Sequence, residues 1–258
     1  MKKTIVYGNG SVLSYAEFGD QVGYPILVQH GLIASIDDST LFNRLLRANL
    51  RVICIARPGY GESSPYVLRS YAEWADLAGR IIEALRLAEF DVLGMSSGAP
   101  FSYAIGYRFP EKVHHVYILS GIPALYDEKV LELWPYPSLK DKSVADLQPL
   151  ARELFFSGLT EADLQNSDIR DSMMNDCFGV AQDLRLRFKD WGFSLADVRT
   201  KVFMRHSKSD EPFQAAVRTA DLLPDCQLEL TETGPHFSPE TLDDFTEKTI
   251  LKYAREGK

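Results

Sequence analysis

The stretch Asp91-Val92-Leu93-Gly94-Met95-Ser96-Ser97-Gly98 decides the fold. An apolar run that reads as a strand ends in G-x-S-x-G, and a helical pattern through Phe101, Ala104 and Ile105 follows at once. A chain that turns this sharply from strand to helix forces its central serine into a strained backbone conformation. Only small residues two positions to either side avoid collision, and Gly94 and Gly98 stand there. G-x-S-x-G alone also occurs in ordinary glycine-rich turns; the strand before it and the helix after it are what mark a nucleophile. The turn places the Ser96 hydroxyl at the carboxyl edge of a sheet and at a helix N-terminus, where backbone N–H groups stabilise developing negative charge.

Outward from this segment, the first half of the chain alternates strand-like and helical patterns, which predicts a parallel sheet covered by helices on both faces. Pro25–Gln29, Arg51–Ile55, Asp91–Leu93 and His115–Leu119 are near-continuous apolar runs, as suits strands buried on both sides. Thr4–Tyr7 and Val12–Phe18 flank Gly8-Asn9-Gly10 and predict an antiparallel hairpin at the sheet edge. Trp74, Leu77, Ala78, Ile81, Ile82 and Leu85 recur at three- and four-residue steps on one helix face, with Ser70 and Glu73 spaced for a capping box. From about Ile122 to Arg199 strand-like runs vanish and mixed helical segments take over. Alternation resumes with Lys201–Met204, a helix near Phe213–Leu222, Gln227–Thr231 and a last helix opened by Ser238-Pro239. The expected division is a core of residues 1–121 and 200–258 with a helical lid over 122–199.

A serine hydroxyl needs a base, and the base needs an orienting acid. His236 follows the last strand, in a loop that opens at the carboxyl edge, and is the expected base. Asp210 ends the loop after the preceding strand and completes the chain order Ser, Asp, His; Asp221 and Asp225 are the alternatives, read as helical and turn residues. His114 and His115 fall at the amino edge, His206 reads as a loop residue, and His30 as a residue that holds its loop by hydrogen bonding. The backbone N–H groups of Leu32, in His30-Gly31-Leu32, and of Ser97 are the candidate oxyanion donors.

The 258 residues can bury one large core, and 36 acidic against 28 basic residues give a formal net charge of -8 with no long basic run. Nucleic-acid binding is therefore not expected. Cys54, Cys177 and Cys226 lack any CxxC pairing, so no zinc site or disulfide framework is expected. The N-terminus lacks the apolar segment of an export signal, and no stretch approaches the roughly 18 apolar residues of a membrane span. The expectation is a cytoplasmic protein, monomeric or a small homo-oligomer, acting on a small molecule without metal or cofactor.

Nearly the whole chain resembles the α/β-hydrolase superfamily, in its serine-nucleophile group with a helical lid. The residues that carry the likeness are His30-Gly31, Arg57-Pro58-Gly59-Tyr60-Gly61-Glu62-Ser63, Gly94-Met95-Ser96-Ser97-Gly98, Asp210 and His236. The resemblance implies an eight-stranded, mostly parallel sheet, a Ser-His-acid triad and cofactor-free acyl chemistry. Ala56, Ala99 and Pro235 depart from the usual pattern, the last replacing the glycine that commonly precedes the histidine. Serine at the elbow argues against the dehalogenase and epoxide hydrolase branches, which use aspartate. His30-Gly31-Leu32-Ile33-Ala34 lacks the glycine-rich loop of proline iminopeptidases, so an aminopeptidase is the weaker option. The expected activity is hydrolysis of a small organic ester; a slow ligand receptor, an acyltransferase or a C–C bond hydrolase are the alternatives. Trp134, Tyr136, Phe155, Phe156, Met173, Met174, Phe178 and Phe188 of the lid are candidates for walling the substrate, with arginine and lysine at 205 and 208 read as parts of a solvated loop.

Overall fold

A computed structural model of the chain describes residues 2–254; Met1 and residues 255–258, the two ends of the expected core, lie outside it. Eight strands form one sheet: β1 Lys2–Tyr7, β2 Ser11–Gly19, β3 Pro25–Gln29, β4 Arg51–Ile55, β5 Phe90–Met95, β6 Val113–Leu119, β7 Lys201–Ser207 and β8 Cys226–Thr231. Their spatial order is β1-β2-β4-β3-β5-β6-β7-β8. The β1–β2 hairpin joins the edge through antiparallel β2–β4 pairing, and from β4 to β8 every pairing is parallel.

The helices are α1 Asn43–Arg47, α2 Tyr71–Ala84, α3 Ala99–Arg108, α4 Glu128–Leu131, α5 Val144–Phe156, α6 Ser167–Leu186, α7 Phe213–Asp221, α8 Pro239–Phe245 and α9 Leu251–Tyr253, with a π-helical turn over Thr246–Ile250 before the last. Alternating strand residues feed two cores. Leu27, Ile53, Val92 and Ile118 pack with Trp74, Ile81 and Phe101 of α2 and α3. Val28, Val52, Leu93 and Tyr117 pack with Leu45, Leu242, Phe245 and Ile250 on the opposite face. Trp74 is fully buried, and a large side chain withdrawn from water in this way contributes roughly 1.5–3 kcal/mol.

At the start of α2 the Ser70 hydroxyl accepts the Glu73 N–H at 3.2 Å, but Glu73 does not return the bond. Its carboxylate accepts the Arg69 N–H and the Tyr66 hydroxyl instead, so the expected box is only half formed. Ser238 does form a reciprocal box with Thr241. Between β6 and β7 the chain is helical, with α5 packed on α6. Helix α6 is broken at Met174–Cys177, where Asn175, Asp176 and Cys177 all have positive φ. Gln148 of α5 donates to the carbonyls of Asn175 and Asp176, pairing two of the groups the break leaves without helical partners. Among the described residues no helix is long and apolar enough to cross a membrane.

Candidate active site

Parallel pairing brings the carboxyl ends of β3, β5, β7 and β8 to one rim, and Leu32, Ser96, Ser97, Asp210 and His236 all lie in the segments that leave it. Ser96 follows β5 with φ +50°, the strained turn expected of the elbow. Register pairs Gln29 with Gly94, which drives the end of β3 against the turn. A Cβ on Gly98 would fall 2.0 Å from Gln29 O, and one on Gly94 would fall 2.4 Å from Ser102 Oγ, so both positions require glycine.

The loops after β7 and β8 are stitched together. Lys208 N–H donates to Thr231 O at 2.9 Å and the Ser207 hydroxyl to Gly234 O at 3.0 Å. This seam sets Asp210 beside His236: His236 Nδ1 is 2.6 Å from Asp210 Oδ2, and His236 Nε2 is 2.8 Å from Ser96 Oγ. With a carboxylate at Nδ1, that nitrogen carries the proton and Nε2 accepts from the serine hydroxyl. Pro235 does not spoil the geometry, because Gly234 absorbs the turn at φ +145°. The alternatives for the acid lie elsewhere: Asp221 ends α7 and pairs with Arg218, and Asp225 precedes β8 at the opposite edge of the sheet.

Residues 205–207 are not loop. They continue β7, paired with Glu229, Leu230 and Thr231 of β8. Arg205 is buried and bridges Glu229 and Asp244 at 2.8 Å each. Lys208 pairs with Glu232. Completely buried His206 brings Nε2 to 2.8 Å from Asp210 Oδ2, the oxygen His236 also approaches, at an angle too oblique for a well-formed hydrogen bond. Burial alone would raise the Asp210 carboxyl; the two imidazoles at its oxygen overcome that and hold it well below the usual carboxylate range. The acid is therefore ionised at neutral pH.

Buried His30 bridges two loops, its Nδ1 2.8 Å from Gly31 O and its Nε2 accepting the Arg57 N–H at 3.3 Å. Burial and the neighbouring Arg57 push its pKa well down and keep it neutral. The N–H groups of Leu32 and Ser97 have no acceptor beyond the elbow turn among the described residues, so both remain available to a ligand.

Ser96 and His236 open into a cavity of about 650 Å³ walled mainly by apolar groups, among them Val28, Leu32, Phe42, Met95 and Phe237. Helices α5 and α6 contribute Phe155 and Asp168. Of the eight lid residues considered from the sequence, only Phe155 reaches this wall. Trp134 and Phe188 pack on one core and Phe156, Met173 and Phe178 on the other, while Tyr136 and Met174 are exposed. Among the described residues no lysine or arginine lines the cavity; its acidic wall residues are Asp38 and Asp168.

Cys54 also lines the cavity, and burial pushes its thiol far up, which leaves almost no thiolate at neutral pH. Iodoacetamide at pH 7.5 is thus expected to leave turnover unchanged over an hour, with mass spectrometry finding Cys54 unmodified; rapid inactivation with label on Cys54 would contradict this.

The alpha/beta hydrolase fold family model matches residues 24–241. An uncharacterized hydrolase, YcgS of Bacillus subtilis, is 27% identical over 120 residues, 46% of this chain and 41% of that protein. The 2-hydroxy-6-oxononadienedioate/2-hydroxy-6-oxononatrienedioate hydrolase of Escherichia coli is 23% identical over 229 residues, 82% of this chain and 79% of that one. Among solved structures, the esterase EaEST of Exiguobacterium antarcticum superposes with a TM-score of 0.76 at 22% identity, covering 99% of this chain and 100% of the other. A variant of the meta-cleavage product hydrolase CumD gives 0.68 at 19% identity over 98% of each. At these identities the superpositions speak to fold alone, and they agree with the family match: the chain belongs to the alpha/beta hydrolase fold family and is a hydrolase of that family.

Proposed function

We propose that the protein hydrolyses small, uncharged carboxylic esters by acyl transfer through Ser96. The observation that carries this reading is the unbroken contact from Ser96 Oγ through His236 to Asp210, opening into an apolar cavity that no lysine or arginine lines among the described residues. Ser96 Oγ attacks the acyl carbon as its proton passes to His236 Nε2, and Asp210 stabilises the imidazolium. The carbonyl oxygen takes up negative charge, which the Leu32 and Ser97 N–H groups bind. Collapse breaks the bond to the alcohol, which leaves with the proton from His236. Water then attacks the acyl-enzyme, gives its proton to His236, and the acid departs as Ser96 recovers its hydrogen.

The E. coli relative is named for dicarboxylate substrates, so C–C hydrolysis of such a dianion is the competing reading. The wall charges favour the ester. A carboxylate entering this cavity meets Asp38 and Asp168 with no lysine or arginine among the described wall residues to offset its desolvation, which disfavours binding on both counts. Steady-state hydrolysis of p-nitrophenyl acetate and butyrate, compared with a 2-hydroxy-6-oxo-dienedioate, tests this. We expect kcat/KM for the esters to exceed that for the dianion by at least about 100-fold, equivalent to some 2.7 kcal/mol of discrimination. The reverse order would overturn the ester reading in favour of carbon–carbon cleavage.

A further inference from the structure

Asp183 and Arg187 lie one turn apart at the C-terminal end of α6, and both are buried, at 1% and 9% exposure. Residues four apart on a helix share a face, and here that face looks into the two loops that flank Ser96. Asp183 Oδ2 accepts Arg57 Nη2 at 2.6 Å and Nε at 3.1 Å. The same Arg57 guanidinium donates to His30 O and to Gly31 O, both at 2.7 Å. The Tyr60 hydroxyl is shared between the Asp183 carboxylate at 3.0 Å and the Leu32 carbonyl at 2.8 Å. Three consecutive carbonyls, those of residues 30–32, are therefore drawn toward groups that Asp183 anchors.

Peptide geometry turns this into control of an N–H direction. In a trans peptide the C=O of one residue and the N–H of the next lie in one plane and point in opposite directions. The Gly31 carbonyl is pinned by Arg57 and by His30 Nδ1, so the Leu32 N–H is fixed pointing the other way, from a residue that lines the cavity. On the other flank, Arg187 Nη2 donates to Ser97 Oγ at 2.6 Å. That bond fixes the residue whose N–H is the second donor, and it spans 90 positions of sequence. Arg187 is a costly choice for mere packing: it is a second guanidinium beside a single buried carboxylate, and its Nε has no hydrogen-bond partner among the described residues. A buried cation behind the elbow does, however, favour negative charge forming in front of it.

We infer that Asp183 and Arg187 make the end of α6 the positioning element of the oxyanion hole, one residue for each donor. This rests on the acyl-transfer reading above, and it assigns the segment between β6 and β7 a part in the chemical step beyond walling the substrate. Arg187 does not line the cavity and acts through Ser97.

Arg187→Met, Arg187→Lys and Ser97→Ala, made in the full chain, test the inference with two readouts: kcat against KM for p-nitrophenyl butyrate, and inhibition by an alkyl trifluoromethyl ketone, whose adduct on Ser96 carries the same oxyanion. Arg187→Met is expected to lower kcat by about 10- to 100-fold, less than the loss of a whole donor, with KM within about threefold. The ketone should weaken by the same factor. Arg187→Lys should recover part of both losses, and the double variant of Arg187→Met with Ser97→Ala should be no worse than the poorer single one. A folded Arg187→Met enzyme with wild-type kcat and ketone affinity overturns the inference. If circular dichroism shows that Arg187→Met does not fold, Ser97→Ala decides, because it keeps the N–H and removes only the tether; wild-type ketone affinity in that variant overturns it equally. A wild-type protein that neither turns over esters nor labels Ser96 with a fluorophosphonate sinks the acyl-transfer reading itself, whereas an active wild type with unaffected variants sinks this inference alone.

Discussion

Ser96→Ala is expected to lower kcat for the proposed ester hydrolysis by about 10⁵ to 10⁶ and to abolish labelling by a fluorophosphonate, with the fold unchanged. The expectation of an intact fold comes from the turn itself. Serine and alanine both carry a Cβ, so the strain of φ +50° is the same before and after substitution, and what holds the turn is Gly94 and Gly98 against Ser102 and Gln29. The lost group is only the hydroxyl 2.8 Å from His236 Nε2. Some acceleration over water, roughly 10³-fold, should survive in the mutant, because the free N–H groups of Leu32 and Ser97 still polarise a bound carbonyl. Intact-mass measurement after probe treatment reads the result directly. A variant that still takes up one probe per chain would move the nucleophile elsewhere, and Ser97 would then be the first residue to map, being buried with its Oγ held by Arg187.

Much of this site is legible without coordinates, and the reasons are local. Strands buried on both faces read as continuous apolar runs, the elbow announces itself by small residues at fixed offsets, and Ser238-Pro239 marks where the last helix must begin. Once a parallel order is accepted, Asp210 and His236 fall at one rim because each follows a strand. What the sequence hides is whatever depends on distant partners. His206 and Arg205 look like loop residues because polar groups seldom end a buried strand; only the acids at positions 210, 229 and 244 make them admissible there. The Arg187 tether to Ser97 and the Asp183 anchor of Arg57 join segments 90 and 126 residues apart, with no periodicity to betray them. The three left-handed residues that break α6 are Asn, Asp and Cys; Asn and Asp tolerate that conformation, but they also occur within helices, and without a glycine or proline among the three the signal for a break is weak. Phe155 is indistinguishable by spacing from its neighbour Phe156, yet one lines the cavity and the other is core.

Asp210→Asn is expected to lower kcat by about 10² to 10⁴, and this structure says something about where in that range. The usual penalty of the change is a wrong tautomer, imposed when the amide NH₂ turns toward the histidine and forces the proton onto Nε2. Here His236 and His206 both present a ring nitrogen to the same oxygen, Oδ2, at 2.6 and 2.8 Å. The His236 N–H directed at that point, with the obliquely placed His206 ring nitrogen as a weaker second contact, favours the amide oxygen there and disfavours the NH₂, so the correct tautomer is retained and the loss is chiefly that of negative charge beside the imidazolium. A fall near 10² with KM unchanged is the outcome that follows. Adding His206→Phe to Asp210→Asn removes that second contact, releases the amide to flip, and should deepen the fall toward 10⁴. Stability supplies an independent check with its own sign. The Asp210 carboxyl titrates lower in the folded protein than the ordinary value of about 3.9, so its ionised form stabilises the fold above that pH, and the contribution is lost as pH falls through the folded value. Urea unfolding should therefore show wild type ahead of Asp210→Asn at pH 7 and the two converging as pH drops below about 4. Near-normal turnover in Asp210→Asn would remove the carboxylate from the mechanism, and Asp221 and Asp225, which lie away from the rim that holds His236, could not take its place.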